Sequence, residues 1–368
     1  MEDVVVCKFG GSSLCEPLGL FNIKKIIDGH PKRKVVVVSA PGKGSFSKTK
    51  VTDLLIEAHT NKCVFNQNII EVQNIFEKIA KLLNVDINLN KEFAKIRRNY
   101  KFSQNKSYLF SRGEFVMGKI VAKYLGFYFV DASKLIKFSK RGKILRKTYK
   151  NIVKITNKHT KVLIPGFYGS NLLGKIKVMS RGGSDITGAI ITKAIPGSIY
   201  ENWTDVDGVF SSNSKIGNNN YLLPEIDYSS IKYLSLFGAT VINYKCPDLL
   251  DGHTTFIKNT FNPHVLGTKI SNKPCNICAE SKISCTQIIY KNSKRISRFI
   301  RQAKINFVFR YELDGFVHLF FTKSAGYFDA KKLAKVKKQV LLARDVVLLL
   351  SVENGKIKIC RNNEQEGV

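Results

Sequence analysis

Asp3-Val4-Val5-Val6-Cys7-Lys8-Phe9-Gly10-Gly11-Ser12-Ser13 is a run of β-favouring apolar residues that ends on two glycines and two serines. A strand apolar on both faces is the kind a covered, largely parallel sheet buries. A helical pattern follows from about Leu18 to Asp28, then a second buried strand from Lys34 to Ser39. Pro41 to Thr49 is rich in Gly, Ser and Lys and reads as a loop. Helical spacing then recurs over Thr52 to His59, Asn68 to Asn84 and Arg112 to Leu125. Short strands are expected at Gly126 to Val130, Lys161 to Pro165 and Ser198 to Trp203. Strands alternating with helices predict an α/β domain with a mostly parallel sheet flanked by helices.

The texture changes near Asn272. Strands at Cys285 to Tyr290, Ile305 to Tyr311, Phe316 to Thr322 and Asp345 to Val352 bracket helical stretches at Ser293 to Gln302 and Asp329 to Val340. That order is βαββαβ, the ferredoxin-like motif. The expected division is therefore residues 1–271 and 272–368.

The chain has 368 residues, 44% of them hydrophobic, enough for a large core and a smaller second one. No apolar run approaches the ~20 residues of a membrane helix. The opening Met1-Glu2-Asp3 leads into a strand and does not read as a signal peptide, so the cytoplasm is the expected location. Eight cysteines are scattered; Cys275-Asn276-Ile277-Cys278 is a lone CxxC, and free thiols are expected rather than zinc. The net charge of +32 suits a nucleic-acid binder, but the basic residues read as spread along the chain, so compositional drift is the preferred account.

Two glycine turns carry the chemistry. In Lys8-Phe9-Gly10-Gly11-Ser12-Ser13, glycines let N–H groups approach phosphate oxygens and Lys8 offers a point charge. In Ser180-Arg181-Gly182-Gly183-Ser184-Asp185, a helix predicted over Ile186 to Ala194 would take Ser184 or Asp185 as N-cap, with Arg181 a fork for carboxylate or phosphate. Each alone also reads as an ordinary turn. Trp203-Thr204-Asp205-Val206-Asp207-Gly208-Val209-Phe210 closes a strand with acids at its carboxyl end, where α/β sheets bind nucleotides. Ser111-Arg112-Gly113-Glu114 opens a helix, with Glu114 favoured there by the helix dipole or able to receive an ammonium group.

In order, these segments resemble the aspartokinase family within the amino-acid kinase (carbamate kinase-like) fold. The strings are KFGGSS from Lys8, VVVSAPGKGSFSKTKVTDLL from Val36, SRGE from Ser111, SRGGSDITGAIITKAI from Ser180, NWTDVDGVF from Asn202 and YLSLFGATVI from Tyr233. The resemblance covers roughly residues 3 to 270. It implies ATP-dependent phosphorylation of the L-aspartate β-carboxylate to 4-phospho-L-aspartate, the start of lysine, threonine and methionine synthesis. It implies Lys8 and Asp185 as catalytic residues. Lys8, Phe9, Gly10, Gly11, Ser12, Thr204, Asp205, Phe210, Lys215, Thr240 and Val241 would bind ATP. Thr52, Glu114, Arg181, Gly182, Gly183 and Ser184 would bind aspartate, Glu114 through the ammonium and Arg181 through the α-carboxylate. ATP and Mg²⁺ are the implied cofactors, with no metal held by protein ligands alone. The C-terminal unit resembles an ACT domain, either regulatory, with lysine or threonine as candidate effector, or serving only to dimerise, and a homodimer is expected.

The sequence departs from that family in three places. Thr240 replaces the Lys of FGAK, Asn243-Tyr244 replaces His-Pro, and Lys215 stands where an Arg is usual. Two other readings compete: a different amino-acid kinase such as glutamate kinase, and a non-catalytic amino-acid sensor or nucleic-acid binder on a decayed kinase.

Overall fold

The computed structural model describes residues 4–180, 182–211, 221–236, 241–273, 278–291, 309–313, 316–321, 340–353 and 356–361. In chain order the elements are β1 (Val5–Phe9), α1 (Pro17–Asp28), β2 (Arg33–Val38), α2 (Val51–Thr60), α3 (Phe65–Leu82), α4 (Leu89–Ser103), α5 (Lys106–Phe110) and α6 (Arg112–Leu125). Then come β3 (Tyr128–Phe129), α7 (Ala132–Leu135), β4 (Lys137–Phe138), α8 (Arg146–Lys158), β5 (Val162–Pro165), β6 (Tyr168–Asn171), β7 (Ile176–Val178) and α9 (Gly183–Ala194). The next are β8 (Ile199–Thr204), β9 (Glu225–Asp227), α10 (Tyr228–Leu236), α11 (Pro247–Leu250), β10 (Thr254–Asn259) and β11 (Thr268–Ser271). The last five are β12 (Cys278–Lys291), β13 (Phe309–Leu313), β14 (Phe316–Phe321), β15 (Val340–Glu353) and β16 (Lys356–Arg361).

Contacts divide the chain into two compact units. The first comprises Met1–Val209, Leu222–Tyr228 and Val241–Lys273; the second comprises Phe210–Tyr221, Ser229–Thr240 and Pro274–Val368. The first unit holds an eight-stranded sheet in the order β3-β5-β2-β1-β8-β10-β11-β9. Every pairing in it is parallel except β10 with β11. β1 sits centrally, and all five of its residues are buried. Side chains alternate across a strand. Val5, Cys7 and Phe9 join a cluster with Leu20, Ile23, Leu54, Phe76, Phe93 and Val116 on one face. Val6 and Lys8 therefore turn to the other face, where α9 lies.

Of the sequence expectations, β1, β2, β5, β8, α1, α2, α3 and α6 form within a few residues of the predicted ends. The sequence reading left α4, α8 and the small sheet β4-β6-β7 unassigned. The predicted cap of α9 needs correction. Gly182, at φ 72°, is the N-cap, so Ser184 and Asp185 lie in the first turn. Only a glycine takes that left-handed φ without strain, and it lets the chain turn into the helix two or three residues early.

In the second unit β13-β14-β12-β15-β16 form an antiparallel sheet. In that order β14 lies between β13 and β12, and β12 lies between β14 and β15. The helix predicted over Ser293 to Gln302 lies outside the described residues, as does the one over Asp329 to Val340 save its last residue. Val340 itself opens β15. β16 was not foreseen.

An ion pair reaches from β2 to β8 across the intervening β1. Arg33 Nε lies 2.8 Å from Glu201 Oε2, with side chains 13% and 9% exposed. That oxygen also accepts from Trp203 Nε1 at 3.0 Å. Arg33→Met strands a buried carboxylate, so a loss of about 3–5 kcal/mol is expected. Thermal denaturation should show the lowered midpoint. Arg33→Met combined with Glu201→Gln should recover part of it, because a neutral amide oxygen still serves Trp203.

Candidate active site

Because β5, β2, β1 and β8 are parallel neighbours, their carboxyl ends open on one edge of the sheet. Sheet geometry spaces them by about 4.8 Å each, so β5 to β8 spans about 14 Å. The predicted site residues of the first unit fall along this edge.

At β1, Lys8 Nζ lies 2.6 Å from Asp185 Oδ1, with side chains 8% and 12% exposed. Gly10 N–H donates to Trp203 O at 3.0 Å, so it is occupied by the sheet. Its role is room: a Cβ on Gly10 would come within 3.3 Å of Lys8 Nζ. A Cβ on Gly11 would lie 2.8 Å from Ala40 O, so this turn interlocks with the loop after β2. Gly42 N–H seals the contact by donating to Gly11 O at 2.9 Å. The half-buried Gly11 and Ser12 make no N–H hydrogen bond to a described residue, which leaves two donors beside Lys8.

Near the ends of β2 and β5 lie Thr52, Glu114 and Ser184, which the resemblance assigns to aspartate. Gly113 packs the start of α6 so closely that an added Cβ would lie 2.8 Å from Ala40 Cβ and 3.0 Å from Val51 Cγ1. That brings Glu114 to the end of β2 and beside the first turn of α2, where Thr52 is half-buried. Glu114 is 4% exposed, and its Oε2 has no hydrogen-bond partner. Burial pushes its carboxyl up to about 8, against the pull of the Glu114 and Ala40 main-chain N–H groups and of Arg112. A buried acid with one bare oxygen suits a cationic ligand. Ser184 stands over the end of β5, where a Cβ on Gly166 would meet its Cβ at 2.6 Å. Asp185 N–H donates to Gly182 O at 3.1 Å, while the Gly183 and Ser184 N–H groups at the start of α9 bond no described residue and favour an anion.

At β8, Thr204 Oγ1 donates to Asp205 Oδ1 at 2.9 Å, and Asp205 is exposed. Two residues outside the expected set of binding residues join this end to Asp185. Asn202 Nδ2 donates to Val241 O at 2.7 Å, and Asn243 N–H donates to Asp185 Oδ2 at 3.0 Å. Asn202 is fully buried and its Oδ1 is unpartnered. Asn243 also packs on Gly182, where a Cβ would lie 2.7 Å from its Nδ2. The sequence signal was present for Asn243, as a departure from His-Pro, but nothing in a string reveals its contact with Asp185.

Lys8, Phe9, Gly10, Gly11, Ser12, Thr52, Glu114, Gly182, Gly183, Ser184, Asp185, Thr204, Asp205 and Val241 are thus all in the first unit. Phe210 is exposed and belongs to the second unit. Arg181, Lys215 and Thr240 lie outside the described residues. Cys7, Cys15, Cys63 and Cys246 are free thiols; of the CxxC, residues 275–277 lie outside the described set.

A central β1 ending on a glycine turn, faced by a helix that opens on another, makes a frame able to receive anions. The amino acid kinase family profile matches residues 3–259, and the chain belongs to that family. Aspartokinase 3 of Bacillus subtilis is 32% identical over 292 residues, 74% of this chain and 64% of that protein. The chain therefore spans less than two thirds of that relative. The aspartate kinase of Clostridium acetobutylicum superposes with a TM-score of 0.75 at 29% identity, covering 96% of this chain and 87% of that one. Escherichia coli aspartokinase III, solved with aspartate and ADP, gives a TM-score of 0.80 at 18% identity over 95% and 88% of the two chains, a likeness of fold.

The Glu114 carboxyl predicts a pH signature. The folded protein holds this proton more tightly than the unfolded chain, so stability falls as pH rises from the ordinary carboxylate range through about 8. Glu114→Gln has no such proton. Its thermal midpoint should gain several degrees on the native protein between about pH 5 and about pH 9.

Proposed function

We propose that the protein transfers the γ-phosphoryl group of ATP to the β-carboxylate of L-aspartate, forming 4-phospho-L-aspartate and ADP. The observation that carries this reading is the 2.6 Å Lys8–Asp185 pair at the centre of the edge. Acid-binding residues stand on its β2 and β5 side and nucleotide-type residues on its β8 side. The relatives reported above are aspartokinases, which favours aspartate as the acceptor.

The acceptor carboxylate is already ionised at neutral pH, so no general base is needed. What the site must do is bring two anions together. Two unit charges 4 Å apart repel by about 4 kcal/mol at a surface-like dielectric. Lys8 screens that repulsion where the phosphoryl group passes, and Gly11 and Ser12 N–H groups add donors. Asp185 holds the ammonium in place until the triphosphate arrives. Glu114 receives the substrate ammonium on its bare oxygen, while Thr52, Ser184 and the first turn of α9 position the carboxylates, with Arg181 assigned to the α-carboxylate by resemblance. Thr204, Asp205 and Val241 line the nucleotide end; Phe210, Lys215 and Thr240 join them by resemblance alone. Mg²⁺ enters with ATP as part of the substrate. Among the described residues no group of three or more His, Cys, Asp or Glu is placed to hold a metal by itself.

The same proposal extends to an ACT-like second unit with lysine or threonine as effector, to a homodimer, to a cytoplasmic location and to lysine, threonine and methionine synthesis.

The test is ADP release with ATP, Mg²⁺ and L-aspartate, with the acyl phosphate trapped by hydroxylamine. Lys8→Met should lower kcat by about 10²–10³-fold. L-Glutamate should be a poor acceptor. The absence of aspartate-dependent turnover would overturn the assignment. A second expectation follows from Glu114: KM for aspartate should fall between about pH 6.5 and about pH 8.5 as the carboxyl ionises, and Glu114→Gln should flatten that dependence.

A further inference from the structure

Between Asp131 and Asp185 the chain contains no Asp or Glu, and it contains fourteen Lys and Arg residues. The positive charge is thus not evenly spread, contrary to the sequence reading. This segment builds α7, α8, the sheet β4-β6-β7 and the approach to α9. Its shape gives the charge a purpose.

A cavity of about 340 Å³ opens between the turn after β4, strand β7, helix α9 and the segment leading to α11. Its floor is apolar: Phe138, Ile186 and Ile190 are buried residues that line it. Three exposed lysines line it as well, Lys140 from the turn, Lys177 from β7 and Lys245 from the segment before α11. No carboxylate among the described residues lines it. None of the three lysines is in an ion pair with a described residue. A surface lysine is usually a solvated charge, and one alone would mean nothing. Three converging from separate elements over one apolar floor make a complementary shape for an anion with a hydrocarbon body.

We infer that this cavity binds a small organic anion, with a carboxylate or phosphate head among Lys140, Lys177 and Lys245 and an apolar body against Phe138, Ile186 and Ile190. The site is distinct from the candidate active site. Asp185 turns to Lys8, while Ile186 and Ile190 occupy the neighbouring face of α9. The two are nonetheless tied together. Lys245 lies two residues beyond Asn243, whose N–H holds Asp185, and Ser180, which also lines the cavity, directly precedes Arg181.

The experiment is calorimetric titration of the full chain at low salt, so it needs no turnover and stands whether or not the kinase assignment holds. The probes are phenyl phosphate and 3-phenylpropionate, with benzyl alcohol and inorganic phosphate as the headless and bodiless controls. One saturable equivalent is expected for at least one of the two probes, with much weaker binding of both controls. The phosphate and carboxylate arms identify the preferred head. Lys140→Gln combined with Lys177→Gln and Lys245→Gln should weaken that probe by about tenfold or more with an unchanged thermal midpoint. Ile190→Asp, if folded, should do the same from the floor. L-Aspartate with a non-hydrolysable ATP analogue should leave one equivalent of probe bound. Displacement by that pair, undiminished affinity in the triple variant, or no binding of either probe would each overturn the inference.

Discussion

The Lys8 ammonium and the Asp185 carboxylate meet at 2.6 Å with about a tenth of each side chain exposed. Such a pair is costly to bury and is not a general source of stability. Its geometry has a different effect here. β1 is locked between β2 and β8, and α9 starts where Gly182 turns the chain. The pair fixes the end of one against the start of the other. The glycine turns and the ends of β2, β5 and β8, where the proposed acid and nucleotide would lie, are then set out by strand order alone. A shift of β1 by one residue would send Lys8 to the opposite face, among Leu20, Phe76 and Val116, where no partner waits.

Glycine at several positions is dictated by backbone proximity rather than by flexibility. Gly11 approaches Ala40 O, Gly113 approaches Ala40 Cβ, and Gly166 approaches Ser184. These contacts draw β1, β2, β5, α6 and α9 together at one edge. A side chain at any of them would push apart the two elements it separates. The mechanism proposed above depends on such closeness, because screening between like charges decays with distance.

Much of this arrangement was legible in the string. The apolar run from Val4 to Phe9 gave β1, and the ordered glycine motifs gave both turns and most of the residues at the edge. What was hidden has physical causes. α8 is an exception, because Tyr149, Ile152, Val153 and Thr156 keep helical spacing among its basic residues and its periodicity was there to be read. β4, β6 and β7 are two to four residues long, shorter than any pattern of two can establish. The cap of α9 was misplaced by two or three residues because Ser and Asp are good caps by type, whereas the glycine's positive φ decides the turn. Asn202 looked like one more strand residue, since its hydrogen bond to Val241 spans 39 positions.

The segment from Val241 to Asn243 explains how the two ends of the site stay in register. It carries no regular element, yet it is anchored at both ends: Asn202 on β8 holds Val241, and Asp185 on α9 takes the Asn243 N–H. Because Asp185 uses one oxygen for Lys8 and the other for Asn243, a phosphate that draws Lys8 away leaves the second bond in place. The carboxylate then remains oriented while its partner moves to the incoming anion. Asn202 adds the converse, for its amide nitrogen is engaged while its oxygen is buried and bare. A buried amide oxygen without a donor is unfavourable by about 1–3 kcal/mol. A water or a ligand donor that satisfied it would tighten β8 against this segment, coupling occupancy of the proposed nucleotide end to the placement of Asp185.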